Sequence, residues 1–130
     1  MSLNKTDLIK WFEDGCKPKH LFRIGTEHEK FVYKLDTLKP VSYNEASGIK
    51  NILKSLTRFG WQEVHEESNL IALKKDNQSI TLEPGGQLEL SGAPLENIHQ
   101  TCNEVNEHLK QVKVVGDELN VGFLGVGARL

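Results

Sequence analysis

The chain has little cysteine. Only Cys16 and Cys102 occur in 130 residues, too few for the disulfide framework of a small secreted domain, and they read as reduced thiols. It also lacks an excess of positive charge. Sixteen Lys and Arg against 18 Asp and Glu leave a net charge of −2, which provides no electrostatic footprint for nucleic acid. No apolar run approaches the roughly 20 residues a membrane helix needs, and no secretory signal pattern opens the chain. Internal repeats, low-complexity tracts and linkers are missing too. These absences lead to the expectation of a cytoplasmic protein. What is present is ordinary: 38% hydrophobic and 26% charged residues describe a soluble chain with enough length for a single domain spanning residues 1–130 and a modest core.

The informative stretch is Leu82-Glu83-Pro84-Gly85-Gly86-Gln87-Leu88-Glu89-Leu90-Ser91. Pro84-Gly85-Gly86 suits a three-residue turn, since proline presets one dihedral and glycine accepts positive φ. The flanks alternate. Ile80, Leu82, Leu88 and Leu90 fall on one face, and Thr81, Glu83, Gln87, Glu89 and Ser91 on the other. Placing Glu83 opposite Gln87 makes the two strands agree about which face is which. A second stretch, Arg23 to Phe31, reads as a strand in which Glu27 and Glu29 point the same way. If both stretches share a sheet, Glu27, Glu29, Glu83 and Glu89 converge. Four carboxylates repel one another unless a cation stands among them, and hard oxygen donors suit Mg²⁺ or Mn²⁺, with phosphate supplying further oxygens. From the residues alone, the same glutamates equally describe the solvent face of an edge strand.

The remaining chain organises around these strands. A short helix is predicted over Asn4 to Asp14, with Asn4 as cap, Leu8, Trp11 and Phe12 as its stripe and Gly15 as its end. The first strand is expected over about Leu21 to Leu35. Ser42-x-x-Glu45 has capping-box form and leads into Ile49, Ile52, Leu53, Leu56 and Phe59 at helical spacing, closed by Gly60. Trp61 to Val64, Leu70 to Leu73, Ile80 to Glu83 and Gln87 to Leu90 read as a meander of antiparallel strands. Pro94 suits the first turn of a helix whose stripe is Leu95, Ile98, Cys102, Val105, Leu109 and Val112, fraying near Gly116. Val121 to Val126 reads as a last strand. The fold class is therefore α+β: a mainly antiparallel sheet with helices on one face and the acidic face open.

Gly25-Thr26-Glu27-His28-Glu29-Lys30-Phe31 and Leu82 to Pro94 resemble the two N-terminal signatures of the glutamate–cysteine ligases shared by plants and many proteobacteria. Gly15-Cys16-Lys17-Pro18 and the run Glu96 to Gly127 fit the same family. Family members are several times longer, so the chain resembles their N-terminal portion. The resemblance implies part of a glutamine-synthetase-like carboxylate–amine ligase fold. It also implies an ATP-dependent reaction, in which the γ-carboxylate of L-glutamate joins the amino group of L-cysteine through a γ-glutamyl phosphate, the first step of glutathione biosynthesis. By the same resemblance Glu27, Glu29, Glu83 and Glu89 hold Mg²⁺ or Mn²⁺ against the ATP phosphates, and Gln87 contacts substrate or orients a glutamate. No catalytic residue beyond this metal site is assigned.

Several residues have plainer roles. His28 alternates to the opposite face from its glutamate neighbours and is expected to pack, and without a second histidine at helical spacing Glu27-His28-Glu29 is no zinc motif. Arg23 is expected to balance the glutamates, Cys102 to lie buried in its helix stripe, and Cys16 to be more exposed. Glycines 122, 125 and 127 are in the wrong order for a dinucleotide fingerprint. The remainder of the nucleotide and amino-acid pocket is expected from chain not present here, so the 130 residues alone are expected to lack full activity. Two other classes stay open: a non-catalytic metal- or nucleotide-binding module, and a split-ligase subunit that self-associates or pairs with a C-terminal portion. A ligase of the same superfamily with another amine acceptor is the remaining enzyme alternative.

Overall fold

The structure is a computed structural model and describes residues 3–126. Its regular elements are α1 (Lys5–Gly15), β1 (Glu27–Lys34), α2 (Ile49–Leu56), β2 (Gln62–Glu66), β3 (Asn69–Lys75), β4 (Gln78–Glu83), β5 (Gln87–Ser91), α3 (Ile98–Leu119) and β6 (Val121–Leu124). The class is α+β. One six-stranded sheet runs in the order β2-β3-β4-β5-β1-β6, and each neighbouring pair is antiparallel. The meander β2 to β5 follows from short connections that leave successive strands nowhere else to pair. β1 inserts between β5 and β6. Both are antiparallel to it, so β5 and β6 run parallel, and α3 forms the crossover that parallel strands require.

The core lies between one sheet face and the pair α2 and α3. Alternation puts Val32, Ile80, Leu88 and Leu90 on that face. α2 contributes Ile49, Ile52, Leu53 and Leu56, and α3 contributes Val112 and Val115. The pairing of β2 with β3 shifts register between Val64 and His65. That bulge passes over Ile71 and lets both Leu70 and Leu73 reach the core, although they have opposite parity.

Several expected boundaries move. β1 begins at Glu27 rather than Leu21. The preceding residues form a 3₁₀ turn at Lys19–Leu21, and Ile24 exchanges two backbone hydrogen bonds with Leu95, at 2.7 and 2.8 Å. Those same bonds hold Leu95 extended, so α3 starts at Ile98 behind an Asn97 cap rather than at Pro94. α2 starts at Ile49. Glu45 does bond back to the Ser42 N–H as a capping box would, but the Ser42 carbonyl accepts from Ile49 N–H and closes a turn instead. α3 runs past Gly116 to Leu119, where Asn120 takes the left-handed conformation at φ 55°. At Gly116 the absence of a side chain admits the carbonyl of Val121, 2.8 Å from where a Cβ would stand. β6 stops at Leu124, and Gly127 lies outside the described residues.

The buried face of α3 also differs from the predicted stripe. Thr101, His108, Gln111, Val112, Val115 and Gly116 face inward, while Ile98, Cys102 and Leu109 are exposed. The inward polar residues meet specific neighbours. Gln111 Oε1 accepts the Trp61 Nε1–H at 2.8 Å, and His108 meets His28 edge to face with ring centroids 6.5 Å apart. The expectation of a buried Cys102 is corrected by this rotation.

Candidate functional site

The sheet face away from α2 and α3 carries the predicted acidic residues in three successive rows. Glu29 on β1 stands directly opposite Glu89 on β5, which stands opposite Thr81 on β4. Directly opposed residues have Cβ atoms roughly 5 Å apart, so Glu29 and Glu89 are immediate neighbours. The row on one side holds Glu27 opposite Ser91, and the row on the other holds Phe31, Gln87 and Glu83. All four glutamates therefore share a face, but they do not converge at one point. Glu27 is exposed at the start of β1, and Glu83 stands two strands from β1. Among the described residues no group of three Asp, Glu, His or Cys lies close enough to hold a metal ion alone. The structure gathers a pair of glutamates where the sequence led us to expect four.

That pair is organised. Glu89 is 8% exposed and its Oε1 accepts the Ser91 hydroxyl at 2.6 Å. Gln87, also 8% exposed, donates through Nε2 to Glu29 Oε2 at 3.0 Å and to the Val126 carbonyl at 3.3 Å. Its amide thus orients a glutamate and leaves its own oxygen uncommitted in these bonds. The hairpin that positions both residues is the predicted one. Glu83 pairs with Gln87, the Gly86 N–H donates to the Glu83 carbonyl at 3.1 Å, and Gly85 and Gly86 take φ of 84° and 80°. An open apolar groove lined by Phe31, Tyr33, Pro40, Gly85, Leu124 and Val126 runs beside this turn.

Sequence reasoning missed what lies beneath the acidic pair. Lys30 points to the core face, is 1% exposed and donates from Nζ to the His28 carbonyl at 2.7 Å. Burial lowers its pKa to about 8, while the charge of Glu89 pulls the other way. The buried ammonium therefore supplies positive charge to Glu89 from behind the sheet. His108, 2% exposed, is pushed down to about 3 by burial first and then by the charges of Lys30 and His28. Burial and then Lys30 lower His28 as well. Among the described residues neither ring nitrogen of His108 nor Nδ1 of His28 finds a hydrogen-bond partner. The signal was available: a lysine at an inward position of an otherwise apolar alternation.

Arg23 does not balance the glutamates. It precedes β1, donates from Nη1 to the carbonyls of Phe22 at 2.8 Å and His20 at 3.3 Å, and stands 3.7 Å from Glu96. The expected strand does not extend over residues 19–26, so Arg23 does not share the alternation of Glu27 and Glu29. Glu104 on α3 ties the end of β5 to the helix, accepting from Thr26 Oγ1 at 3.2 Å and from Ala93 N–H at 2.8 Å. Cys16 is exposed, as expected.

Residues 23–129 match the family model described as Glutamate-cysteine ligase family 2 (GCS2). The chain belongs to this family. It is 58% identical over 126 residues to glutamate–cysteine ligase A, chloroplastic, of Oryza sativa subsp. japonica, covering 96% of this chain and 25% of the relative. Over 125 residues it is 55% identical to the chloroplastic glutamate–cysteine ligase of Medicago truncatula and 53% identical to that of Arabidopsis thaliana, covering 24% of each. The GCS2 chain thus spans about a quarter of the length of the curated relatives it matches. The expectation of a cytoplasmic protein is corrected here: the relatives it matches are named chloroplastic. Among the described residues no helix is long and apolar enough to cross a membrane.

Proposed function

We propose that this chain is the part of an ATP-dependent glutamate–cysteine ligase that carries the acidic sheet face, within a catalytic domain of glutamine-synthetase-like fold. The observation that carries the proposal is the Glu29–Glu89 pair, opposed across β1 and β5 inside the two motifs that resemble the ligase family.

A carboxylate is a poor electrophile, so ligation needs the γ-carboxylate of glutamate activated as a γ-glutamyl phosphate before the cysteine amine displaces phosphate. Moving a phosphoryl group onto an anion demands charge neutralisation and alignment. The donor chemistry here fits Mg²⁺. Glu29 and Glu89 offer carboxylate oxygens, and the rows beside them offer Glu27, Glu83 and the Gln87 carbonyl oxygen. A set this sparse suits an ion that completes its shell with phosphate and water. When bound, Mg²⁺ supplies charge neutralisation to the ATP phosphates. The protein's own contribution is to hold the carboxylates in place. Gln87 fixes Glu29, Ser91 fixes Glu89, and Lys30 offsets the charge of Glu89 from the core side. In this reading the Gln87 amide oxygen, uncommitted in those bonds, is also available to contact substrate.

The remainder of the nucleotide and amino-acid pocket belongs to the three quarters of the relatives that this chain does not span, so the 130 residues alone are predicted to show no turnover. The test is ADP release dependent on both glutamate and cysteine, measured with MgATP on this chain joined to the remainder of rice ligase A. Turnover should appear in the joined protein and fall at least 100-fold in Glu89→Gln, corresponding to about 3 kcal/mol of transition-state stabilisation. Turnover unchanged by Glu89→Gln would sink the assignment. Turnover by the isolated chain would show that a complete site is present in 130 residues.

A further inference from the structure

The element that the proposed chemistry leaves unexplained is α1. Its sequence is built to be helical. Asn4 Oδ1 accepts the Asp7 N–H and Asp7 Oδ2 accepts the Asn4 N–H, each at 3.0 Å, forming a complete capping box. Yet the helix buries none of its 11 residues. Leu8, Trp11 and Phe12, spaced three and four apart on one stripe, are 51%, 78% and 76% exposed. Phe22, on the connector that follows, is 62% exposed.

An isolated helix shorter than about 12 to 15 residues is marginal in water even with good caps. Tertiary packing of an apolar face normally provides the rest. Exposed Trp and Phe on one stripe are also the residue types that anchor protein interfaces, and soluble monomers rarely leave such patches uncovered. The charges of α1 argue against a membrane as the cover. Lys5 and Lys10 are outnumbered by Asp7, Glu13 and Asp14, whereas interfacial helices are rich in Lys and Arg on the polar face.

We infer that the Leu8–Trp11–Phe12 face of α1 is the docking surface for the part of the ligase fold that the relatives carry beyond the matched quarter. That part is supplied either by the same polypeptide or by a second one. The inference rests on the ligase reading above, because its occupant is ligase chain. Two observations single out that occupant. The matched relatives are about four times as long as the region this chain aligns with. The acidic face also brings only a pair of glutamates together, and the proposed reaction draws the remainder of its nucleotide and amino-acid pocket from that same part of the fold.

Amide hydrogen exchange tests it. In the 130-residue chain at low micromolar concentration, the amides of α1 should exchange within about tenfold of unstructured rates, while β4 and β5 are strongly protected. In this chain joined to the remainder of rice ligase A, exchange in α1 should slow by at least 100-fold, an effect on the order of full tertiary burial. Three results overturn the inference: slow exchange of α1 in the dilute chain alone, continued fast exchange in a joined protein whose β4 and β5 are protected, or protection that grows with the concentration of the chain alone, which would make the occupant a second copy. The chain-alone arm stands whatever the joined protein does. ADP release by the joined protein separates the two claims. Protection without turnover keeps the docking surface and removes the ligase reading, and turnover without protection does the reverse.

Discussion

His108 predicts an acid sensitivity that one substitution should remove. The side chain is 2% exposed, sits under α3 against His28 and Lys30, and is held neutral in the folded state with its pKa lowered to about 3 from 6.5. Between those values the unfolded chain binds a proton that the folded chain does not. Stability from this group is therefore complete above pH 6.5 and is lost progressively as pH falls toward 3. At pH 5 the loss relative to pH 8 is about 2 kcal/mol for His108 alone. His28, lowered for the same reasons, adds to it with the same sign. In His108→Leu that term disappears. Two buried ring nitrogens without partners disappear with it, so the variant should also be more stable at pH 8, by about 1 to 2 kcal/mol. The stability gap should widen to about 3 to 4 kcal/mol at pH 5. Urea unfolding followed by fluorescence of the buried Trp61 at pH 8, 6.5 and 5 reads this directly. Parallel loss of stability in both proteins, or a variant less stable at pH 5, would refute the reasoning.

Two further substitutions probe the packing that positions the site. Gly48→Ala would place a Cβ 2.8 and 2.9 Å from the carbonyl oxygens of Tyr43 and Glu45, and closer still to that of Ser42. Backbone atoms cannot swing aside, so a loss of roughly 2 to 4 kcal/mol in urea unfolding is expected. Gln111→Leu would remove the acceptor of the Trp61 indole N–H, costing about 1 to 3 kcal/mol, and it should change the emission maximum of that tryptophan. A wild-type spectrum and midpoint would show that the bond contributes nothing.

Much of the fold was legible because local signals and packing agreed. The Pro84-Gly85-Gly86 turn fixes the register of β4 on β5, and the register fixes the faces, so Glu83, Gln87 and Glu89 could be placed on one side from the sequence, with Glu29 joining them on the condition that its strand shares the sheet. The α2 stripe was legible for the same reason: Ile49, Ile52, Leu53 and Leu56 repeat at helical spacing, and Gly60 closes the segment in the left-handed conformation. What was not legible depended on partners distant in sequence. The start of α3 moved because Leu95 bonds Ile24, 71 positions away. The face of α3 turned because Trp61, His28 and Lys30 face it, and apolar periodicity cannot register polar residues that fit inward. The four glutamates were expected to converge because parity specifies a face. Position along the strand and across the sheet decides proximity, and only Glu29 and Glu89 share a row.

The most direct measurement is a Mn²⁺ titration of the 130-residue chain by electron paramagnetic resonance, with and without ATP, in the wild type, Glu29→Gln and Glu89→Gln. The account predicts that the wild type takes up the ion more tightly when ATP is present and that either substitution weakens binding at least tenfold, about 1.4 kcal/mol. Equal uptake by all three proteins would contradict it, because the opposed glutamates would then be the solvent face of a sheet and the metal-holding part of the ligase would lie elsewhere.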